Sequence, residues 1–231
     1  MWNDPVKVLG ISGSPRPNAN TAGLVKAVLA GCNVSTQFIT LAGLRIEPCK
    51  SCLGCKDTNE CVIDDDHSVL RKELLNANAL VIGAPNYHNM INGLMHCFLE
   101  RFYQFRHRER NLLAGKLGVA VGVGGSKAEP VIQQILAFFQ FYRIESVGSV
   151  SAQGVARCFD CGYGEWCRSG AIIKAWGADQ DLAKIRPSLD KQPDSLKEAF
   201  ELGKRISARL KEKAHGDQCH QSWRRNPKCQ V

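Results

Sequence analysis

Four closely spaced cysteines are the strongest chemical signal in this 231-residue sequence. They follow the pattern C-x2-C-x2-C-x5-C and comprise Cys49, Cys52, Cys55 and Cys61. A cubane [4Fe-4S] cluster needs thiolates on all sides of one small inorganic body, and a single loop with this spacing, eased by Gly54, can curl around it. Zinc sites usually use two separated C-x-x-C pairs. The spacing therefore favours an iron-sulfur cluster over a zinc site or plain thiols.

A second cysteine group repeats the last part of this pattern, C-x2-C-x5-C, at Cys158, Cys161 and Cys167. It supplies three ligands, so a fourth must come from a partner subunit or from elsewhere in the chain. The candidates from this chain are Cys97, Cys219, Cys229, His215 and His220. Two interpretations stay open: an insertion that is stapled by zinc or left as free thiols, and a second iron-sulfur cluster.

The loop over residues 12–21 carries groups that can neutralise a phosphate dianion. It combines hydroxyls, side-chain amides, backbone N–H groups and the guanidinium of Arg16 immediately before a predicted helix. It lacks the Gly-Lys-Ser/Thr end of a Walker loop and the G-x-G-x-x-G dinucleotide fingerprint. The predicted ligand is a single phosphate, such as that of the mononucleotide FMN. The alternative is an ordinary turn rich in Gly, Ser and Pro.

Two further loops have the composition of a site for a flat heterocycle. Residues 84–90 place amide groups beside the predicted ring plane, where Tyr87 or His88 would cover part of one face. Residues 123–127, with the sequence VGGSK, allow the backbone to approach a ligand closely. Taken alone, each loop is also consistent with ordinary turn chemistry.

Together these segments resemble one known family. The run from Pro48 to Asp66 is similar to the compact cysteine motif of the iron-sulfur flavoproteins of anaerobic archaea and bacteria, which belong to the NADPH-dependent FMN reductase superfamily. The segment GISGSPR at 10–16 resembles their FMN phosphate loop, Ala84-Pro-x-Tyr87 their isoalloxazine loop, and VGGS at 123–126 their third flavin loop. The resemblance implies a flavodoxin-like fold, FMN, one [4Fe-4S] cluster per subunit, and a homodimer or homotetramer that brings a cluster near a neighbouring subunit's flavin.

The resemblance also assigns individual ligands. It implies that Cys49, Cys52, Cys55 and Cys61 hold the cluster. It implies cofactor-binding roles in the phosphate loop for Ser12, Ser14, Pro15, Arg16, Asn20 and Thr21. It implies that the flavin ring is bound by Pro85, Asn86, Tyr87, His88 and Asn89, and that Gly124, Gly125 and Ser126 close over it. Beyond the cofactors themselves, Tyr87 and His88 are the candidate catalytic side chains.

The elements that position these loops are read from hydrophobic periodicity. Five β-branched runs predict strands at 6–11, 36–41, 79–84, 117–121 and 147–151. Helices are predicted from the phosphate loop to Gly31, and at 68–76, 94–108, 131–142 and 194–213. Alternating strands and helices predict an α/β fold: a doubly wound, five-stranded parallel sheet of order 2-1-3-4-5. Ligands of such sheets bind at the carboxyl ends of the strands, where the polar insertions fall.

One domain accounts for most of the chain. We expect a flavodoxin-like FMN domain over 1–214, with the cluster loop at 42–67 and a cysteine-containing insertion at 154–192, followed by a basic tail at 215–231. Cys32 and Cys97 fall in apolar helical patterns and are expected to be small core residues. His67 and His107 lie at predicted helix ends, where we expect them to be solvated.

Composition restricts the classes of partner. The net charge is +8, but residues 203–231 contribute +6 and residues 101–116 contribute +4, so the body of the chain is not basic and nucleic acid is an unlikely partner on charge grounds. No apolar run is long enough for a transmembrane helix, and the first residues lack the features of a secretion signal. Clustered cysteines in such a chain stay reduced in the cytoplasm, so we expect a cytoplasmic location.

Three functions are compatible with these features. The first is transfer of electrons from a low-potential, ferredoxin-like donor through a [4Fe-4S] cluster to FMN and on to a small-molecule acceptor, with the basic segments steering an acidic donor. The second is an NAD(P)H-dependent reductase of flavins, quinones or nitro compounds with zinc or no metal at the cysteines. The third is a redox or metal sensor whose basic tail binds a partner or nucleic acid.

Overall fold

The computed structural model describes residues 7–225, and from residue 215 onward it describes the path of the last helix alone. Six strands form the sheet: Lys7–Ser12 (β1), Ser35–Thr40 (β2), Ala79–Tyr87 (β3), Met90–Ile91 (β4), Leu117–Gly124 (β5) and Glu145–Gln153 (β6). Five of them pair in parallel in the order β2-β1-β3-β5-β6, and β4 pairs with β3 in antiparallel fashion. The predicted parallel strand order is thereby confirmed.

The helices follow the strands in the alternating order that the sequence predicts. They are Asn20–Ala30 (α1), Asp66–Asn76 (α2), Gly93–Glu100 (α3), Glu129–Phe141 (α4), Ala171–Trp176 (α5), Leu182–Ile185 (α6) and Pro193–Arg225 (α7). Short 3-10 segments occupy Arg101–Phe105, Arg157–Phe159 and Leu189–Lys191. None of the helices in the described part of the chain is long and apolar enough to cross a membrane.

The prediction of five strands is wrong by one, because the loop after β3 folds back as a hairpin. Tyr87 pairs with Met90, and the two residues between them, His88 and Asn89, have φ values of 55° and 63°. Two consecutive residues in the left-handed region are the geometry of a two-residue hairpin turn that matches the twist of the sheet. Hydrophobic periodicity cannot detect a strand of only two residues.

Both faces of the sheet are covered, and side-chain alternation along β1 shows how. Val8 packs with residues of α1 and α7, whereas Leu9, its neighbour, packs with residues of α2, α3 and α4. Because successive side chains of a strand point to opposite faces, a strand buried on both sides is apolar at nearly every position. Burying each such side chain contributes roughly 1.5–3 kcal/mol of hydrophobic stabilisation.

Three predicted segments differ from the structure in their limits. The helix expected over 94–108 is α-helical only to Glu100 and continues as a 3-10 segment to Phe105. The irregular stretch expected after residue 154 contains α5 and α6. The last helix, expected to end at 213, runs to Arg225, so part of the expected tail is helical; residues 226–231 lie outside the described part of the chain.

Candidate functional site

The loop between β1 and α1 lies at the carboxyl end of the central strands. The backbone N–H of Gly13 donates to the carbonyl of Gly83 at 2.8 Å, and the Asn92 side chain donates to the carbonyl of Gly13 at 2.7 Å. Helix α1 begins after Ala19 without a capping side chain among the described residues, and it has no acid in its first turn. Uncapped N–H groups and the positive end of the helix dipole favour an anion at this position.

A cavity of about 520 Å³ opens in front of this loop, and we call it the phosphate cavity. Its lining includes, among the residues predicted from the sequence, Ser14, Arg16, Asn20, Thr21, Pro85, Asn86, Tyr87, Gly124 and Gly125. The amide of Asn20 donates to the carbonyl of Gln153 at 2.8 Å, which ties the loop to the end of β6.

A second cavity of about 790 Å³ adjoins the first, and we call it the ring cavity. The predicted residues that line it are Arg16, Asn86, Tyr87, His88, Asn89, Gly125 and Ser126. Four of these residues line both cavities, so that the two spaces form one elongated site. Basic side chains line both parts of it, and the ring cavity also has the aromatic side chains of Tyr87 and Trp176. Trp176 and Lys174 of α5 add a wall to the ring cavity that sequence reasoning missed.

Glycine is required at one position of this site. A Cβ on Gly124 would stand 1.7 Å from the carbonyl oxygen of Lys127, far inside van der Waals contact. The Asn86 side chain donates to the same carbonyl at 2.7 Å, which holds the loop after β5 against the hairpin. Backbone of the two loops is thereby brought together at the junction of the two cavities.

The residues present fit FMN. In the phosphate cavity, the hydroxyl of Thr21 and the Nε of Arg16 are buried and have no hydrogen-bond partner among the described residues. Buried donors without partners cost free energy, roughly 1–3 kcal/mol each, which an oxyanion ligand would recover. Two predicted ligands line neither cavity: Ser12 is fully buried at the end of β1, and Pro15 is exposed.

The cluster loop, residues 42–67, curls through backbone conformations that side-chain-bearing residues rarely adopt. Ser51, Leu53 and Asn59 have φ values of 51°, 57° and 58°. Gly54 packs so closely on Val62 that a Cβ there would lie 2.7 Å from a Val62 methyl group. Left-handed backbone at non-glycine residues costs free energy and persists where the surrounding structure fixes it. Such strain is typical of loops that wrap a ligand.

A buried ion pair holds this loop to the rest of the domain. Arg101 and Asp65 have fully buried side chains and are 2.5 Å apart, and Arg101 also donates to the carbonyls of Glu47 and Ile63. Burial opposes the charge of Asp65, but the hydrogen bonds from Arg101 and from the backbone of Glu47 outweigh it and hold the pKa of Asp65 below its usual range. The ion pair thus ties both ends of the cysteine run to the domain.

In the loop, the charges of three cysteines affect the pKa of the fourth. Burial raises the pKa of the Cys55 thiol, and the neighbouring charges of Cys61, Cys49 and Cys52 raise it further. Backbone N–H groups of Cys49 and Cys61 are held by the side chains of Glu100 and Gln104 at 3.1 Å each. The thiols are free, and no disulfide forms among the described cysteines.

The donor set of the loop, four free thiols, fits a cubane cluster. In the described part of the chain, no three His, Cys, Asp or Glu side chains surround a point at which one metal ion would be held. Thiolates of a cubane bind four different iron atoms and stand farther apart than the ligands of one zinc ion. Cys49, Cys52, Cys55 and Cys61 supply four free thiols on one loop, which is the ligand type and number that a cubane requires.

Two histidines are placed differently from the prediction that they are solvated. His67 is fully buried, its ring 5.2 Å from that of Phe98, and burial lowers its pKa to about 4. His107 is half-buried, and its Nε2 lies 3.0 Å from the sulfur of Cys55. Nothing in the sequence pattern links residue 107 to a cysteine 52 positions earlier, so tertiary structure alone reveals this contact.

The second cysteine group lies on the segment that follows β6. Cys158 accepts a hydrogen bond from the backbone N–H of Ala171 at 3.3 Å, Cys167 lies 3.4 Å from the Ser169 hydroxyl, and Cys161 is exposed. Among the described side chains these three thiols do not enclose a single-ion site. The proposed additional ligands Cys219, Cys229, His215 and His220 lie outside the residues whose side chains are described, and Cys97 lies on α3.

Cys32 packs against the core on the face of the sheet covered by α1 and α7, and Cys97 packs against the core on the opposite face, although both are only half-buried. Burial raises the pKa of Cys32 to about 11, and the pKa of Cys97 is raised by burial and by the charge of Glu100. Thiols of this kind are unreactive, in keeping with their expected packing role.

Comparison with known proteins identifies relatives of this chain. Residues 6–154 match the sequence model of the family described as NADPH-dependent FMN reductase. The chain is 36% identical over 149 residues to an iron-sulfur flavoprotein of Methanocaldococcus jannaschii, an alignment that covers 62% of this chain and 76% of the relative.

Solved structures share the fold. The structure of RosB with a bound intermediate, 8-demethyl-8-formylriboflavin-5'-phosphate, superposes with a TM-score of 0.63 at 16% identity, covering 95% of this chain and 87% of RosB. A flavodoxin from the domain Archaea superposes with a TM-score of 0.50 at 15% identity, covering 89% of this chain and 99% of the flavodoxin. These likenesses identify the fold as flavodoxin-like.

Proposed function

The chain belongs to the NADPH-dependent FMN reductase family and, within it, to the iron-sulfur flavoproteins, and from this premise we propose that it passes electrons from a low-potential donor through a [4Fe-4S] cluster to FMN and on to a small-molecule acceptor. It is a flavin-dependent oxidoreductase. When bound, the cluster exchanges single electrons and FMN exchanges one or two, which allows the two cofactors to join one-electron donors to two-electron acceptors.

One observation carries this proposal: the loops predicted to bind a flavin line two adjoining cavities that share Arg16, Asn86, Tyr87 and Gly125. Ser14, Arg16, Asn20 and Thr21 would hold the phosphate. Tyr87 and His88 would flank the ring and orient an acceptor above it, with the glycine-rich loop after β5 opposite. Basic side chains beside the loop over residues 12–21 suit the phosphate of FMN, and the aromatic rings of Tyr87 and Trp176 suit its flat ring system.

The cysteine loop would hold the cluster. Cys49, Cys52, Cys55 and Cys61 are the proposed ligands, and the names of the relatives support an iron-sulfur centre. The Arg101 guanidinium lies against Cys61 as well as Asp65, and although burial opposes its charge, these contacts raise its pKa above the usual value. A permanently charged guanidinium beside the loop would offset part of the negative charge of four thiolates.

A basic surface beside the cysteine loop supports an acidic donor such as a ferredoxin. Arg106, Arg108, Arg110 and Arg143 are exposed, and His107 in the same stretch contacts Cys55. Charge of this sign would steer an acidic protein to the side of the molecule on which the cluster is proposed. We also propose a cytoplasmic homodimer or homotetramer, in which a cluster lies near a neighbouring subunit's flavin.

The test is the content of FMN, iron, sulfide and zinc per chain, with an absorption spectrum, after strictly anaerobic preparation. We expect one FMN and at least four irons with matching sulfide. Colourless, iron-free protein would overturn the proposal. For Cys158, Cys161 and Cys167, additional iron and sulfide would indicate a second cluster, one zinc per chain would indicate a stapled insertion, and four irons without zinc would leave free thiols.

A second candidate is an NAD(P)H-dependent FMN, quinone or nitro reductase, favoured by the description of the matching family. It predicts that NADH or NADPH alone bleaches the flavin quickly, with zinc or no metal at the cysteines. Rapid bleaching by a reduced ferredoxin, with no response to NADH or NADPH, would exclude it. A redox or metal sensor would show no turnover with either donor.

A further inference from the structure

The segment after β6 forms one wall of the phosphate cavity, although it lies beyond the residues that match the family. It lines the cavity with Asp160, Ala183, Arg186, Pro187, Ser188 and Lys191. Two contacts fix this wall. The Gln192 amide donates to the carbonyls of Gln153 and Ser188 at 3.1 and 2.9 Å, and Leu189 packs on Gly23 of α1, where a Cβ would stand 2.5 Å from a Leu189 methyl group.

The charges that line the cavity match a phosphate monoester. Arg16 and Arg186 each contact one oxygen of Asp160, at 3.4 and 2.7 Å, so that one carboxylate joins the phosphate loop to the opposite wall. Lys191 is the third cation of the lining, and Asp160 is its single acid, which leaves a net charge of +2. A phosphate monoester carries close to two negative charges at neutral pH.

Hydrogen-bond donors from both walls lack partners. Ser188 Oγ from the new wall is buried without a partner in the described part of the chain, as are Thr21 Oγ1 and Arg16 Nε from the phosphate loop. All three residues line the same cavity. The backbone of Ser188 is held by the hydrogen bond from Gln192 to its carbonyl, and its buried hydroxyl has no partner among the described residues.

We infer that Arg186 and Ser188 bind the 5'-phosphate of FMN together with the loop over residues 12–21, and thereby make the site select phosphorylated flavin over riboflavin. Asp160 acts as a positioning residue, because it holds both guanidiniums at the same end of the cavity. The inference rests on the proposed flavin-binding function and extends it to a segment outside the family match.

The test compares FMN with riboflavin, which has the same ring and lacks the phosphate. Each flavin is titrated by fluorescence quenching into the full chain after flavin removal. A charge-assisted hydrogen bond contributes enough that Arg186→Gln should weaken FMN binding about tenfold or more. Ser188→Ala should weaken it by a smaller factor, and riboflavin binding should change less than about twofold in both variants, on the same scale.

A matched control is Lys184→Gln, which removes a cation of the same segment that pairs with Asp181 and does not line the phosphate cavity. It should leave both affinities unchanged. Unchanged FMN affinity in Arg186→Gln and Ser188→Ala would overturn the inference, and so would equal losses for the two flavins, because these would indicate altered folding. Failure of the wild-type chain to bind either flavin would instead overturn the proposed function.

Discussion

At the residue scale, Arg101 is the side chain that holds the cysteine loop to the domain. It is fully buried, pairs with Asp65 and donates to two carbonyls that flank the cysteine run. Desolvating both charges is costly, so the pair contributes less to net stability than its geometry suggests. Its role is instead to fix where the two ends of the loop lie relative to the 3-10 segment Arg101–Phe105.

Replacing Arg101 with Met should destabilise the protein strongly. The substitution leaves the Asp65 carboxylate buried without its partner, which costs about 3–5 kcal/mol of unfolding free energy. Urea unfolding followed by circular dichroism measures the change. The exposed residue Arg108 offers a matched control, because Arg108→Met removes the same type of charge and should shift the free energy by less than about 0.5 kcal/mol. Equal effects of the two substitutions would contradict the assignment.

Burial of His67 should make stability depend on pH. The pKa of its imidazole is about 4 in the folded chain and near 6.5 when unfolded, so the unfolded chain takes up a proton first as the pH falls. This contribution to stability is complete above pH 6.5 and is lost progressively toward pH 4. Between pH 7.5 and pH 5 the loss is about 2 kcal/mol.

Urea titrations at the two pH values test this expectation. His67→Gln cannot take up the proton and should flatten the pH dependence by about the same 2 kcal/mol. His96, which is exposed, provides the control, and His96→Gln should retain the full dependence. A wild-type protein whose stability falls no more steeply than that of His67→Gln would show that the buried imidazole is not responsible.

At the element scale, the loops after β3 and β5 form the proposed flavin site because backbone geometry brings them together. The hairpin of β3 and β4 turns the chain back through His88 and Asn89, and the Asn86 amide reaches the carbonyl of Lys127 across the junction. Gly124 permits that approach because it has no side chain. Each loop therefore depends on the other for its conformation.

Gly124→Ala should abolish FMN retention. The added Cβ would stand 1.7 Å from the Lys127 carbonyl, so the loop after β5 must move away from the hairpin. We expect the substitution to reduce the binding free energy of FMN by about 1.4 kcal/mol or more, which is a tenfold loss of affinity. Purified Gly124→Ala should then contain less than about a tenth of the wild-type flavin. Gly93→Ala is the control, since nothing lies within 4 Å of a Cβ there. Full flavin content in Gly124→Ala would show that the loop does not contribute.

At the scale of the whole molecule, the charges divide the surface into regions. The basic surface beside the cysteine loop and the cationic phosphate cavity at the carboxyl ends of the strands are built from different elements. The first is suited to steer a protein and the second to hold a small ligand. This division is consistent with electrons that enter near the cysteine loop and leave at the ring cavity.

Electron transfer from ferredoxin should therefore slow as salt rises. Screening at 0.5 M salt reduces long-range attraction, so we expect the bimolecular rate of flavin reduction by reduced ferredoxin to fall about tenfold from its value at 0.02 M. Replacing Arg106, Arg108 and Arg110 with Gln should weaken the salt dependence. A triple Gln replacement of Lys184, Lys197 and Lys204, which are exposed and line neither cavity, serves as control. A rate of flavin reduction that does not change with ionic strength would exclude electrostatic docking.

Much of this protein follows from local sequence. The cysteine ligands and the flavin-site residues stay predictions from spacing and loop composition, although the structure places most of the latter around two adjoining cavities. The parallel strand order could be predicted and is confirmed, because side-chain alternation and turn residues are local signals. The hairpin at His88 and Asn89 could not, because it consists of two residues on either side of a turn. Predicted solvation of His67 failed for a related reason: burial depends on which helix packs above it.

What only the tertiary structure decided is how distant residues meet. Asp65 and Arg101 are 36 positions apart and form the buried pair beneath the loop, while His107 reaches Cys55 from 52 positions away. Arg186 and Ser188 join a phosphate loop that precedes them by more than 160 positions. Sequence by itself determined which chemical groups are available and the fold that carries them. Their partners were decided by packing, because contacts between remote segments leave no periodic signal in the chain.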